Sequence, residues 1–68
     1  MIINDVNINP YNVRLGQLWK SLETQEEFTV IKIEKSHVAG YVAAVKYKEK
    51  PSKYISLLKF NKFIKVKS

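Results

Sequence analysis

Apolar and polar positions alternate with a period of two along most of this 68-residue chain, which predicts strands. Phe28-Thr29-Val30 alternates, and Ile31-Lys32-Ile33-Glu34-Lys35 continues in the opposite phase. A phase switch within one strand is what a β-bulge or a sharp bend produces, and small closed barrels need such bends to pass from one sheet to the other. Ser36-His37 reads as a tight turn. Residues 38–47 then read as a long strand, with Ala39, Tyr41, Ala43, Val45 and Tyr47 on one face. Val42 and Ala44 make its other face partly apolar, and Gly40 inside it predicts a bulge or a close backbone approach. Residues 48–52 read as a turn, because Pro51 has no N–H for a ladder. Residues 53–57 form the next strand, Ile55 and Leu57 alternating with Tyr54 and Ser56. A short helical turn is expected over 58–61 and a final strand over 63–66.

Upstream, Gly16-Gln17-Leu18-Trp19 predicts a short first strand, and the polar, acidic residues 21–27 a loop. Thr24 and Glu27 have the spacing of a helix capping box, but Phe28 opens a strand pattern at once and leaves no room for a helix. Residues 1–12 are an Asn-rich lead-in with Pro10. Its Ile2, Ile3, Val6 and Ile8 would pair as an edge strand or stay loose, with the domain proper over 13–68. Five short strands, a long first loop, two tight hairpins and a short turn before the last strand predict an all-β fold, a small five-stranded SH3-like barrel. An OB-like barrel usually needs more residues and a helix between its third and fourth strands. Helix-turn-helix and ribbon-helix-helix folds would need helical periodicity, which no useful length of the chain shows.

Gly16-Gln17-Leu18-Trp19, Phe28-Thr29-Val30-Ile31-Lys32-Ile33, Tyr54-Ile55-Ser56-Leu57, Phe60 and Phe63 together resemble the core positions of small SH3-like proteins of phages and mobile elements. The likeness runs over residues 13–66. It implies a fold and no activity, because such proteins are mostly uncharacterised and a fold does not carry a function with it. Heavy use of Ile, Asn and Lys fits AT-rich coding, that of a low-GC bacterium or one of its phages.

The composition, 46% hydrophobic and 26% charged, is that of a folded domain and not of a disordered tail. A chain this short buries only about 60% of the surface it exposes when unfolded, so modest stability is expected. There is no cysteine to add a disulfide or a thiolate metal site. The longest apolar run, residues 41–45, is far too short for a membrane span. Residues 1–5 lack the basic and apolar regions of a signal peptide, so a cytoplasmic protein with no membrane contact is expected.

Catalytic chemistry has little to stand on. The single histidine, His37, falls in a turn, where a nucleophile–base set would need Ser36 or Ser52 and Glu34 beside it; it reads as a solvated turn residue. One histidine with scattered glutamates is no metal ligand set. Gly16 and Gly40 are the only glycines, so no glycine-rich phosphate loop exists. Glu26 and Glu27 are adjacent in a loop and lack the separated, environment-tuned arrangement of an acid/base pair. No catalytic residue, metal or cofactor is expected, and the chain is not read as an enzyme.

Charge does change the picture. Residues 46–68 carry eight lysines against Glu49, a net +7, while residues 1–45 carry four basic and five acidic side chains, a net −1. Charge segregated in this way points to an acidic partner. Lys46, Lys48, Lys50 and Lys53 would line both sides of one hairpin, Lys59 and Lys62 would flank the helical turn, and Lys65 and Lys67 would point outward from the last strand. Tyr47 and Tyr54 interleave with them as stacking surfaces for exposed bases. The expected partner is nucleic acid, DNA or RNA, held with low specificity, since Arg14 is the sole arginine and arginine dominates base readout. In the plainer reading, these lysines only protect sheet edges from aggregation. The acidic loop of Glu23, Glu26 and Glu27 is expected to be solvated and to confine nucleic acid to the opposite side.

Trp19 reads first as the centre of the core. Alternatively it lines a groove for an extended peptide beside Tyr41 or Tyr47. That alternative makes the chain a protein–protein interaction module, a phage-type inhibitor or modulator of a host protein, docking on an acidic protein surface. A homodimer through an edge strand over residues 1–8 is a further expectation.

Overall fold

The computed structural model describes residues 6–38 and 40–67. Five strands form one open antiparallel sheet: β1 (Leu18–Ser21), β2 (Glu27–Ser36), β3 (Gly40–Tyr47), β4 (Lys53–Ser56) and β5 (Phe63–Lys67), in the order β4-β3-β2-β1-β5. The all-β expectation and the short helical turn before the last strand hold. That turn is a 3-10 helix, Leu57–Lys62, joining the two edge strands β4 and β5.

The phase switch in β2 is realised as a register shift. Val30 pairs with Val45 and Lys32 with Ala44, leaving Ile31 as the extra residue. Phe28, Val30 and Ile33 are thereby all buried although the alternation breaks between them. A second irregularity, between Leu18 and Trp19, lies where β1 pairs with β5. Such shifts bend and twist strands locally.

Some boundaries differ from the pattern-based reading. β1 begins at Leu18, because Gly16 sits at φ +84° and turns the chain, with its N–H on the Val30 carbonyl at 2.8 Å. β3 begins at Gly40, at φ +72°, so this glycine closes the β2–β3 hairpin opposite Ser36 and is not a bulge inside a strand. Leu57 leaves β4 for the 3-10 helix. There Leu57 and Phe60, three residues apart and so on one face, are both fully buried. Ser56 caps this helix, its hydroxyl accepting from the Leu58 N–H at 3.4 Å.

The core gathers Val13, Trp19, Phe28, Val30, Ile33, Ala43, Val45, Tyr47, Leu57 and Phe60. Aromatic rings meet edge to face within it: Trp19 on Phe60 at 5.0 Å, Phe28 on Phe63 at 5.0 Å and Phe60 on Phe63 at 5.4 Å. This is the geometry that the ring quadrupole favours.

Most of the expected edge strand in the lead-in lies outside the described residues, and Val6–Ile8 are in a turn. From Ile8 on, the lead-in is tied to the sheet. Ile8 packs on the core, and the buried Asn9 side chain donates to the Val13 carbonyl (2.9 Å) and accepts from the Val13 N–H (2.8 Å). Among the described residues, no helix is long and apolar enough to cross a membrane.

Candidate nucleic-acid interface

The lysine-rich third does not form one face. Strand alternation decides where each side chain goes. In β3, Val45 and Tyr47 are buried and Lys46 between them is exposed, so Lys46 lies on the outer face. With Lys48 it borders a shallow concavity whose lining includes Leu18, Thr29 and Ile31. Lys62, Lys65 and Lys67 are exposed at the β5 edge.

Tyr47 does not offer a face to bases. It is only 8% exposed and packs against Phe28 with ring centroids 5.4 Å apart. The ammonium groups of Lys53 and Lys50 stand 5.2 and 6.0 Å from its centroid. Nor does Trp19 line a peptide groove. It is 4% exposed in the core, its indole N–H donating to Gln17 Oε1 at 3.0 Å, while Tyr41 is half-buried against the core.

The acidic loop lies beside the basic hairpin and not opposite it. Lys50 Nζ is 2.6 Å from Glu26 Oε2. The hydrogen bond from Lys50 outweighs desolvation, the next largest effect, and holds the Glu26 carboxyl below its ordinary value, helped by the charge of Lys50, a Thr24 hydrogen bond and the charge of Lys53. A depressed carboxyl pKa stabilises the fold above the unfolded-state value and loses that contribution as pH falls through the folded one. The thermal midpoint should therefore drop on acidification, and Lys50→Met should show a shallower drop over that acid window. Identical pH profiles for the two proteins would show that the bridge contributes nothing.

Lys53, Tyr54 and Lys59 are brought together. They line a concavity of about 770 Å³ between β4, the 3-10 helix and the end of the β2–β3 hairpin. The hairpin end adds Glu34, Lys35 and His37, none of which pattern reading placed at a site. Their signal lay in the pairing: Glu34 is opposite Val42 and Val42 is opposite Ser56, which sets the hairpin end level with the end of β4, one strand away. Glu34 is ion-paired to Lys32 at 3.2 Å. Tyr54 is 63% exposed, the one tyrosine of the lysine-rich third with an open ring. Among the described residues, no three His, Asp or Glu side chains converge as metal ligands would.

No protein-family model, curated protein or solved structure matches this chain.

Proposed function

We propose that the protein is a non-enzymatic binding module, built on an SH3-like barrel, that holds nucleic acid with little sequence preference. The barrel reading rests on five antiparallel strands with a 3-10 turn before the last, and on that turn joining the two sheet edges. The observation that carries the binding reading is the concavity at the β4 edge that an exposed tyrosine borders together with Lys35, Lys53 and Lys59. Lysines neutralise phosphates without reading bases. The sole arginine, Arg14, is turned to its own loop, its Nε donating to Asn12 Oδ1 at 3.1 Å.

The test is fluorescence anisotropy with labelled DNA and RNA across a salt series. Affinity should fall steeply with salt, and the double variant Lys53→Glu/Lys59→Glu should weaken binding alike on unrelated sequences. Binding indifferent to salt would overturn the reading.

A second reading is favoured by a different observation. Leu18 and the half-exposed Ile31, Ile64 and Val66 lie on the neighbouring strands β1, β2 and β5, with Lys46 and Lys67 nearby. An apolar patch with a basic border suits an acidic protein surface. In that case the chain is a protein–protein module, of the kind a phage uses to modulate a host protein. Nucleic-acid affinity would then be negligible even at low salt.

A further inference from the structure

Resting on the nucleic-acid reading above, we infer that the concavity between β4, the 3-10 helix and the β2–β3 hairpin end is a single-strand site. One unpaired base stacks on Tyr54, and the flanking phosphates meet Lys35, Lys53 and Lys59.

Tyr54 lies on an edge strand, and its cross-strand neighbour on β3 is Ala44; Ser56, next on the same face, is opposite Val42. Small neighbours leave a large ring standing clear of the sheet, with 63% of the residue exposed. Among the described residues no other aromatic ring packs on it, whereas Trp19, Phe28, Tyr47, Phe60 and Phe63 all have ring partners. An exposed tyrosine on a strand, inside a basic concavity, is a stacking platform.

The three lysines reach the concavity from three elements: Lys35 from β2, Lys53 from β4 and Lys59 from the 3-10 helix. Lys35 and Lys59 have no ion pair among the described residues. Lys53, opposite Val45, leaves the edge strand on the other face from Tyr54; its ammonium stands over the Tyr47 ring and within reach of the Glu26 charge, so Lys35 and Lys59 are the lining's unpaired cations. Glu34 is the acid of the lining, and Lys32 already offsets it. The site therefore keeps a positive balance around an open aromatic face. In a duplex the base faces are stacked on each other and out of reach of that ring. A single strand can present them, in DNA or RNA.

The experiment compares labelled oligothymidylate, oligouridylate and a mixed-sequence duplex of the same length on the intact protein. Both single strands should bind more tightly than the duplex. Three neutralised phosphates give a log–log salt slope of about −2 for a single strand. Tyr54→Ala should weaken single-strand binding about tenfold or more, the size of one base–aromatic stack, and leave duplex binding unchanged. Tyr54→Ile keeps a strand-forming apolar residue without a π face and should lose as much, while Tyr54→Phe should keep full affinity; circular dichroism checks that each variant is folded. If the duplex binds as well as the single strands and Tyr54→Ile is without effect, while Lys53→Glu/Lys59→Glu still weakens binding, the single-strand site is wrong and the nucleic-acid reading stands. If no nucleic acid binds at low salt, both fall together.

Discussion

Phe60→Ala should leave little folded protein in mild denaturant. Truncating a buried phenylalanine costs about 3–5 kcal/mol in lost transfer energy and residual cavity. A domain of this size has a total stability of only about 3–10 kcal/mol at the usual per-residue value. Phe60 is fully buried, touches Trp19, Phe28 and Phe63, and sits on the 3-10 helix that joins the two edges of the sheet. Its chain neighbours Lys59 and Asn61 are exposed, so neither fills the space. Urea unfolding followed by the emission of Trp19, whose ring centre is 5.0 Å from that of Phe60, reads the change directly. With a slope of about 1 kcal/mol per molar urea for so small a domain, the midpoint should fall by about 3 M or the folded baseline should vanish. Phe63→Ala removes the same group from a half-buried position and should cost less. If it costs more, the 3-10 helix is not the keystone of the core.

Much of this architecture was legible because alternation has a physical cause. The switch of phase after Val30 predicts a bulge or a sharp bend, and the register shift there leaves Ile31 over between the Val30 and Lys32 pairings. Pro51 marked the β3–β4 turn, and the run after Ser56 marked the helical turn. The positions that escaped are those where a polar side chain is buried. Asn9 and Gln17 read as surface letters, yet both are inside, each satisfied by the backbone or by an indole. Gln17 lies just before β1, where Gly16 has turned the chain, so the first strand starts later than its letters suggest. The candidate site was legible as charge and not as shape. Local sequence shows that lysines are abundant after residue 45. Only the pairing of β2 with β3 and of β3 with β4 shows that Lys53, Tyr54 and Lys59 share a concavity with Lys35, while Tyr47 turns inward and Lys50 is held by Glu26.

Gln17→Leu should be the costliest polar substitution, and a double-mutant cycle can show why. Gln17 Oε1 accepts from the Trp19 indole N–H at 3.0 Å and from the Arg14 backbone N–H at 2.7 Å, and Gln17 Nε2 donates to the Asn12 carbonyl at 3.3 Å. Leucine is of similar size and leaves no large hole, so the loss is of hydrogen bonds and not of packing. The Arg14 and Asn12 backbone groups lie in an exposed loop where water can replace the lost partner. The indole N–H is buried with Trp19 and has no such substitute. A buried donor left without an acceptor costs about 1–3 kcal/mol. Trp19→Phe removes that donor at the price of some packing. In the Trp19→Phe background, Gln17→Leu should then cost less by about 1 kcal/mol or more, a coupling of the size expected for contacting residues. Because Trp19→Phe removes the sole tryptophan, all four proteins are compared by circular dichroism in urea. Additivity within about 0.5 kcal/mol would mean that the indole N–H gains nothing from Gln17, and that the buried amide serves only to hold the loop ahead of β1.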